Sequence, residues 1–164
     1  MCPGGPSSPA SEVDEHGRSM RDVDCTLELP NDLHAIERAV EYLVDRCEEA
    51  GFDCDRLHLK FRVSVTEALS NAMLYGNAKD PRKRVRIEAH FTQDSATIRV
   101  TDEGPGFDPA QLPDPTKHPH RRRAGGRGIF LIRKLMDHVE FNERGNSITM
   151  VLNGSPCVER KAHV

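Results

Sequence analysis

The 164-residue chain has no tryptophan, only 2 tyrosines and no long apolar run. A membrane-spanning helix needs about 20 consecutive apolar residues, so the sequence predicts no membrane partner. The 5 cysteines are scattered and form no C-x-x-C pair, which argues against a zinc site and a disulfide framework. The N-terminus has no apolar signal-peptide core. These absences together predict a cytoplasmic protein with reduced thiols.

A surplus of basic residues is missing as well. Lys and Arg number 23 against 26 Asp and Glu, which gives a formal net charge of −3. Bulk nucleic-acid binding usually requires a positive surplus, so we expect no direct nucleic-acid partner. The length and the 37% of hydrophobic residues suit a single globular domain with a tail.

Composition divides the chain into three parts. Residues 1–22 are rich in Pro, Gly and Ser, and such a segment cannot repay its ordering entropy, so it predicts a disordered N-terminal tail. Residues 23–153 carry regular apolar patterns and are the predicted domain. Residues 154–164 are a predicted C-terminal tail.

The apolar spacing within the domain predicts five strands and three helices. Period-2 alternation favours strands over 25–29, 84–91, 96–101, 139–141 and 147–152. Helical spacing favours helices over about 33–47, 53–75 and 125–136. Asn31 or Asp32 can cap the first helix, and Gly76 and Asn77 end the second. This order predicts an α+β, two-layer α/β sandwich with helices on one face of a mostly antiparallel mixed sheet.

The most informative stretch runs from Asp102 to Phe107, directly after a predicted strand. A carboxylate at that strand end can accept a hydrogen bond from an exocyclic amine such as that of adenine, and Gly104 and Gly106 leave room for a base or ribose. An ordinary turn is the alternative interpretation, because these residues are common turn formers. A Rossmann fingerprint is excluded because Pro109 stands where its third glycine belongs, and no Walker A sequence occurs.

Glu67 and Asn71 are four residues apart on the predicted second helix, so they share one face. Asn71 offers a hard amide oxygen of the kind that suits Mg²⁺. Glu67, one turn earlier, can take the proton from an attacking hydroxyl. Phosphoryl transfer needs mainly positioning and charge neutralisation, so one metal and one base suffice. The alternative is that both side chains simply face solvent.

A second glycine-rich segment, Gly125-Gly126-Arg127-Gly128, opens the predicted third helix. Backbone N–H groups at such a start can face an anion, aided by the helix dipole; an ordinary helix entry is the alternative. A proline-rich stretch before it predicts a long loop, with basic residues that can cover phosphates as a lid: Lys117, Arg121, Arg122 and Arg123. A solvated charge run is the alternative for these residues.

In order and spacing, three segments resemble the N, G1 and G2 boxes of the GHKL (histidine kinase-like) ATPase superfamily. They are Glu67-x-x-x-Asn71-Ala72, Asp102-x-Gly104-x-Gly106 and Gly125-x-x-Gly128. The resemblance extends over about residues 25–152 and implies a Bergerat-type sandwich that binds ATP and Mg²⁺. Within the superfamily the chain is similar to the anti-sigma-factor serine/threonine kinases, because we expect a stand-alone domain without a phosphoacceptor hairpin or a transducer domain.

That similarity implies Glu67 as general base, Asn71 as magnesium ligand and Asp102 as adenine-binding residue. It also implies a serine on an anti-anti-sigma factor as substrate, a sigma factor as second partner, and a homodimer. Two alternative functions stay open: a non-catalytic, ATP-responsive regulatory module, and a detached histidine-kinase catalytic domain.

Overall fold

The computed structural model describes residues 22–52, 57–112 and 126–154. Its strands and helices, in chain order, are β1 (Val23–Pro30), α1 (His34–Glu49), α2 (Arg62–Asn71), β2 (Arg84–Phe91), β3 (Ser95–Asp102), α3 (Gly126–Leu135), β4 (His138–Phe141) and β5 (Ser147–Asn153). The described part of the chain contains no helix of the length and apolarity needed to cross a membrane. The basic lid positions Lys117 and 121–123, together with Gly125, lie outside the described residues.

The five strands form one sheet in the order β1-β2-β3-β5-β4. All four strand pairings within the described residues are antiparallel. The three helices cover one face of this sheet, so the predicted two-layer α+β sandwich is confirmed. The pairing places the end of β3 in the middle of the sheet, between the start of β2 and the start of β5.

Alternation along β2 and β3 explains why one sheet face is covered. Val85, Ile87 and Phe91 of β2 are fully buried, whereas Arg84 and Arg86, which alternate with Val85 and Ile87, are exposed. Since successive strand side chains point to opposite faces, the apolar set packs beneath the helices and the charged set faces solvent. The register is therefore fixed by burial, because a one-residue slip would bury the arginines.

The N-cap of α1 is Leu33, and no side-chain hydrogen bond caps it, so neither Asn31 nor Asp32 is the N-cap that the sequence predicts. The Asp32 Oδ1 atom accepts a hydrogen bond from the backbone N–H of His34 at 3.0 Å, and that bond lowers the pKa of Asp32. Asn31 acts differently, because its amide donates to the carbonyl oxygens of Met73 and Asp80. Asn31 thus joins the start of α1 to the end of the second helical segment.

The second helical segment runs without a break over 57–76, but its first and last turns are π-helical. A π turn over Leu57–Phe61 leads into α2, and a second one over Ala72–Gly76 follows it. The wide last turn closes through the backbone N–H of Asn77, which donates to the Ala72 carbonyl at 2.7 Å. Such π turns often occur at functional sites, and this one ends against the β3 strand end.

Candidate functional site

A cavity of about 360 Å³ opens between α2, the ends of the central strands and the start of α3. Polar groups of Asn71 and Asp102 face it from two sides, and Gly106 and Gly126 belong to its lining. Apolar side chains such as that of Ile148 complete the wall. A concave, mostly apolar cavity with a few convergent polar groups is the usual form of a small-molecule site.

Asp102 is the acidic group of this cavity. It is the last residue of β3 and pairs with Val85 at the start of β2, so its side chain emerges where the sheet ends. Its Oδ1 atom accepts a hydrogen bond from the N–H of Gly104 at 2.8 Å. Burial raises the pKa of Asp102 above the ordinary 3.8, against the opposite effect of the Gly104 hydrogen bond. A half-buried acceptor of this kind favours a ligand that donates a hydrogen bond.

Glycines at two positions let the chain pack closely around Asp102. A Cβ atom on Gly76 would lie 2.3 Å from the Asp102 Cγ, and a Cβ on Gly104 would lie 1.9 Å from the Gly76 carbonyl oxygen. Neither distance is compatible with a side chain. The end of the second helical segment and the loop after β3 therefore interlock backbone to backbone.

A second interlock holds the other side of the same loop. Gly106 has a φ of +78°, and a Cβ there would lie 1.9 Å from the Arg144 carbonyl oxygen. Gly145 has a φ of +72°, and its Cβ would lie 2.0 Å from the Phe107 carbonyl oxygen. The Phe107 N–H donates to the Arg144 carbonyl at 3.1 Å. The loop that follows Asp102 is thus held from both sides.

Glu67 and Asn71 meet α3 at Gly128. A Cβ on Gly128 would lie 2.6 Å from Glu67 Oε2 and 2.9 Å from Asn71 Nδ2, so both polar side chains reach the same point of α3. The Asn71 Nδ2 atom is buried, and within the described residues it has no hydrogen-bond partner. An unpaired buried amide is costly, and a ligand group that pairs with it would remove that cost.

The first turn of α3 borders the cavity. Gly126 and Ile129 line it, while the predicted site residue Arg127 is exposed. The first N–H groups of a helix have no partner within the helix, and they carry the positive end of its dipole. An anion in this part of the cavity would lie next to them.

The structure thus brings most of the predicted site residues to one place. Asn71, Asp102, Gly106 and Gly126 line the cavity. Gly104 lies behind Asp102, and Glu67 and Gly128 lie together beside Asn71. Residue types alone did not point to Gly76, Asn146 or Ser147, which also line the cavity. The pair Gly76-Asn77 predicts only the end of a helix, although its position one turn after Asn71 is a signal for a second role.

The chain as a whole resembles known proteins. The model of the histidine kinase-like ATPase domain family matches residues 29–152, and the chain belongs to that family. It is 27% identical over 135 residues to the serine-protein kinase RsbW of Listeria innocua, with 76% of this chain and 83% of that protein covered. It is 33% identical over 97 residues to the anti-sigma F factor of Oceanobacillus iheyensis, with 56% of this chain and 66% of that protein covered.

A solved structure shares the fold. The crystal structure of the RsbU and RsbW domains of a Mycobacterium tuberculosis protein superposes with a TM-score of 0.55 at 15% sequence identity. The superposition covers 80% of this chain and 32% of that chain. At this level of identity the likeness concerns the fold alone.

Proposed function

We propose that this protein is an ATP-binding anti-sigma factor with serine-protein kinase activity. The observation that carries the proposal is the likeness to a serine-protein kinase RsbW, which covers 83% of that relative. A second relative carries the name anti-sigma F factor. On this proposal the substrate is a serine of an anti-anti-sigma factor, the second partner is a sigma factor, and the active species is a homodimer.

The chemistry of the Asp102 end of the cavity supports adenine as the bound base. Its carboxylate has one oxygen engaged by the Gly104 N–H, and a carboxylate has further acceptor capacity for an exocyclic amine. The apolar lining around it, which includes Ile148 and Phe141, suits the faces of a flat heterocycle.

The polar groups at the other end of the cavity, Asn71 and the first N–H groups of α3, fit magnesium and phosphate. Rotation of the Asn71 amide exchanges its nitrogen and oxygen, and its oxygen is a suitable ligand for Mg²⁺. The described residues contain no group of three His, Cys, Asp or Glu side chains that could hold a metal ion. On this proposal Asn71 would hold the ion together with phosphate oxygens and water, as is usual for nucleotide-bound magnesium. The start of α3 would face the phosphates, and the predicted lid residues Lys117 and Arg123 would add positive charge.

Bound Mg·ATP would supply the phosphoryl group, and the chain supplies position and a base. Glu67 lies beside Asn71 at Gly128, which on this proposal puts its carboxylate next to the terminal phosphate. There it takes the proton of the attacking serine hydroxyl. Asn71 and Asp102 would hold the two ends of the nucleotide and so orient the phosphate toward the hydroxyl.

Labelled ATP tests the proposal in two stages. Calorimetry with ATP in the presence and absence of Mg²⁺ measures binding, and phosphotransfer is then followed to anti-anti-sigma factors from the same genome. We expect Mg²⁺-dependent binding, an acid-stable phosphate on serine, and loss of transfer in Glu67→Gln with binding retained. Wild-type protein that binds ATP but labels no serine would contradict the kinase activity.

The two alternative functions give different results in the same experiment. A non-catalytic regulatory module would keep its effect on the sigma factor in Glu67→Gln. A detached histidine-kinase domain would produce an acid-labile phosphate on its acceptor. Co-purification of a sigma factor, lost on addition of the unphosphorylated anti-anti-sigma factor, would support the anti-sigma role.

A further inference from the structure

A buried asparagine next to the site uses three of its four hydrogen-bonding positions on main-chain and amide groups. Asn77 is 0% exposed. Its Oδ1 accepts from the N–H of Glu103 at 2.8 Å. Its Nδ2 donates to the Arg84 carbonyl at 2.9 Å and to the Asn31 Oδ1 at 3.3 Å. One acceptor and two donors are thus all paired without water.

An amide is the only side chain of this shape that satisfies all three partners. Aspartate would place a carboxylate against the Arg84 carbonyl and the Asn31 oxygen, which are both acceptors, and leucine would leave the Glu103 N–H unpaired. An unpaired buried group of this kind is costly. The three contacts also fix which end of the Asn77 amide is oxygen, because only the oxygen can accept from Glu103.

These bonds join segments that are far apart in the sequence. Glu103 lies between Asp102 and Gly104, and Asn77 follows Gly76, whose Cα sits too close to Asp102 for a side chain. Asn31 extends the connection, since its amide donates to the carbonyls of Met73 and Asp80. The Asn31–Asn77 pair therefore ties the loop after β3 to the helical turn that follows Asn71.

Backbone strain marks the same place. The two residues after Asn77 both have positive φ, 52° for Ala78 and 60° for Lys79. Such φ values are strained for residues other than glycine, and strained backbone persists where the surroundings enforce it, often at functional sites. Here the enforcing contacts are the Lys79 N–H to the Met73 carbonyl at 3.0 Å and the Asn31 amide to the Asp80 carbonyl, also at 3.0 Å.

We propose that Asn77, oriented by Asn31, is a positioning residue that fixes the Asp102 carboxylate and thereby sets selectivity for adenine over guanine nucleotides. The inference rests on the proposed function, in which Asp102 accepts from the adenine amine. Guanine carries a carbonyl oxygen at the corresponding position, and two facing acceptors repel each other. A carboxylate held in one place enforces this difference, whereas one that can turn aside does not.

The test compares the binding of ATP and GTP to the full chain by calorimetry. In Asn77→Ala we expect ATP affinity to fall roughly tenfold, because a displaced Asp102 carboxylate loses its hydrogen bond to the adenine amine, with GTP affinity nearly unchanged. The ATP/GTP ratio should therefore fall roughly tenfold. Asn31→Ala, which leaves the Glu103 contact intact, should lower the ratio by a smaller factor.

Thr92→Ala is the matched control for lost stability. Thr92 Oγ1 accepts from the N–H groups of Asp94 and Ser95, at the turn where β3 begins, and so at the opposite end of that strand from Asp102. It should lower the midpoint of thermal unfolding without changing the ATP/GTP ratio. Hydrogen exchange of the Glu103 N–H in the nucleotide-free protein gives a readout that needs no ligand, and it should accelerate in Asn77→Ala but not in Thr92→Ala.

The results of these binding experiments distinguish failure of the proposed role of Asn77 from failure of the proposed function. A wild type that does not bind ATP would overturn the proposed function. A wild type that prefers ATP, with the same preference in Asn77→Ala and Asn31→Ala, would overturn the inference and leave the function standing. An equal loss of selectivity in Thr92→Ala would also overturn it, because the effect would then follow stability and not position.

Discussion

The two glycine-rich segments of the site look alike in the sequence and differ in the structure. Gly104 and Gly106 are enclosed by the protein itself, since a Cβ on either would lie 1.9 Å from a backbone oxygen of another segment. Gly126 is open, with nothing within 4 Å of an added Cβ. Gly128 is intermediate, because its nearest neighbours are the side-chain ends of Glu67 and Asn71.

This difference separates two uses of glycine. In the segment after β3 the glycines allow the protein to close on itself, and they should be required for stability before any ligand binds. At the start of α3 they leave space beside the polar side chains, and they should matter for what binds there. Substitutions that add one methyl group test each use directly.

Gly106→Ala should have the largest effect on stability. Alanine at φ +78° is strained, and its Cβ meets the Arg144 backbone, which cannot move without breaking the interlock; we expect a loss of about 3 kcal/mol or more. Gly51→Ala is the matched control, because Gly51 has φ +80° with nothing within 4 Å. Gly51→Ala should lose only the free energy of the backbone strain, about 1 kcal/mol. Equal losses in urea unfolding would contradict the interlock.

Gly128→Ala should affect activity more than stability. The added methyl group displaces the flexible ends of Glu67 and Asn71, and misplacement of catalytic groups by about 1 Å can lower the rate roughly 100-fold. Phosphotransfer assays should show a loss of that order, while the midpoint of thermal unfolding changes little. Unchanged phosphotransfer would refute the placement of the base and the metal ligand at this point.

Asp102→Asn should weaken adenine binding by about tenfold, because an acceptor is replaced in part by a donor. Burial raises the pKa of Asp102 above 3.8. The wild type should therefore lose affinity for adenosine as the pH falls through this raised pKa, because the carboxylate becomes protonated. The variant should show no such dependence. Calorimetry with adenosine, which has no phosphates to titrate, measures both.

The stability of the nucleotide-free protein should respond to the same group with the opposite sign. A raised pKa means that the folded state binds the Asp102 proton more tightly than the unfolded state. The contribution of Asp102 to the free energy of unfolding therefore falls as the pH rises through its folded pKa. Urea unfolding of the wild type and of Asp102→Asn over this pH range measures that contribution as the difference between the two proteins. A difference that grows in favour of the wild type as the pH rises would contradict the prediction.

Gly126→Ala should have the smallest effect on stability of the series. Its Cβ would meet nothing within 4 Å, and alanine is the better helix former by up to about 1 kcal/mol. We expect stability to stay the same or rise slightly in urea unfolding. A loss as large as that of Gly106→Ala would remove the distinction between the two segments.

Much of the fold was predictable from apolar periodicity. The strand over 84–91 has the predicted bounds, and the helix predicted over about 33–47 is found as α1 over His34–Glu49, because regular burial on one face leaves a regular pattern in the sequence. The π turn over Ala72–Gly76 was not predictable, since it follows from how that turn packs against the end of β3. The N-cap of α1 is Leu33 and neither of the predicted residues Asn31 and Asp32, because the Asn31 amide engages a distant partner, the carbonyl oxygen of Met73.

The sequence by itself thus determines the strands and helices and which functional side chains they carry, including Asp102 at the end of β3 and the Glu67–Asn71 pair on one helix face. The folded molecule settles which groups meet. Gly76 lies against Asp102, Asn77 holds Glu103, and Gly106 lies against Arg144, each across a long stretch of sequence. Local patterns record helix and strand periods, but a close approach between distant segments depends on how whole elements pack. For that reason the glycine-rich segments could be found in the sequence, while the difference between them could not.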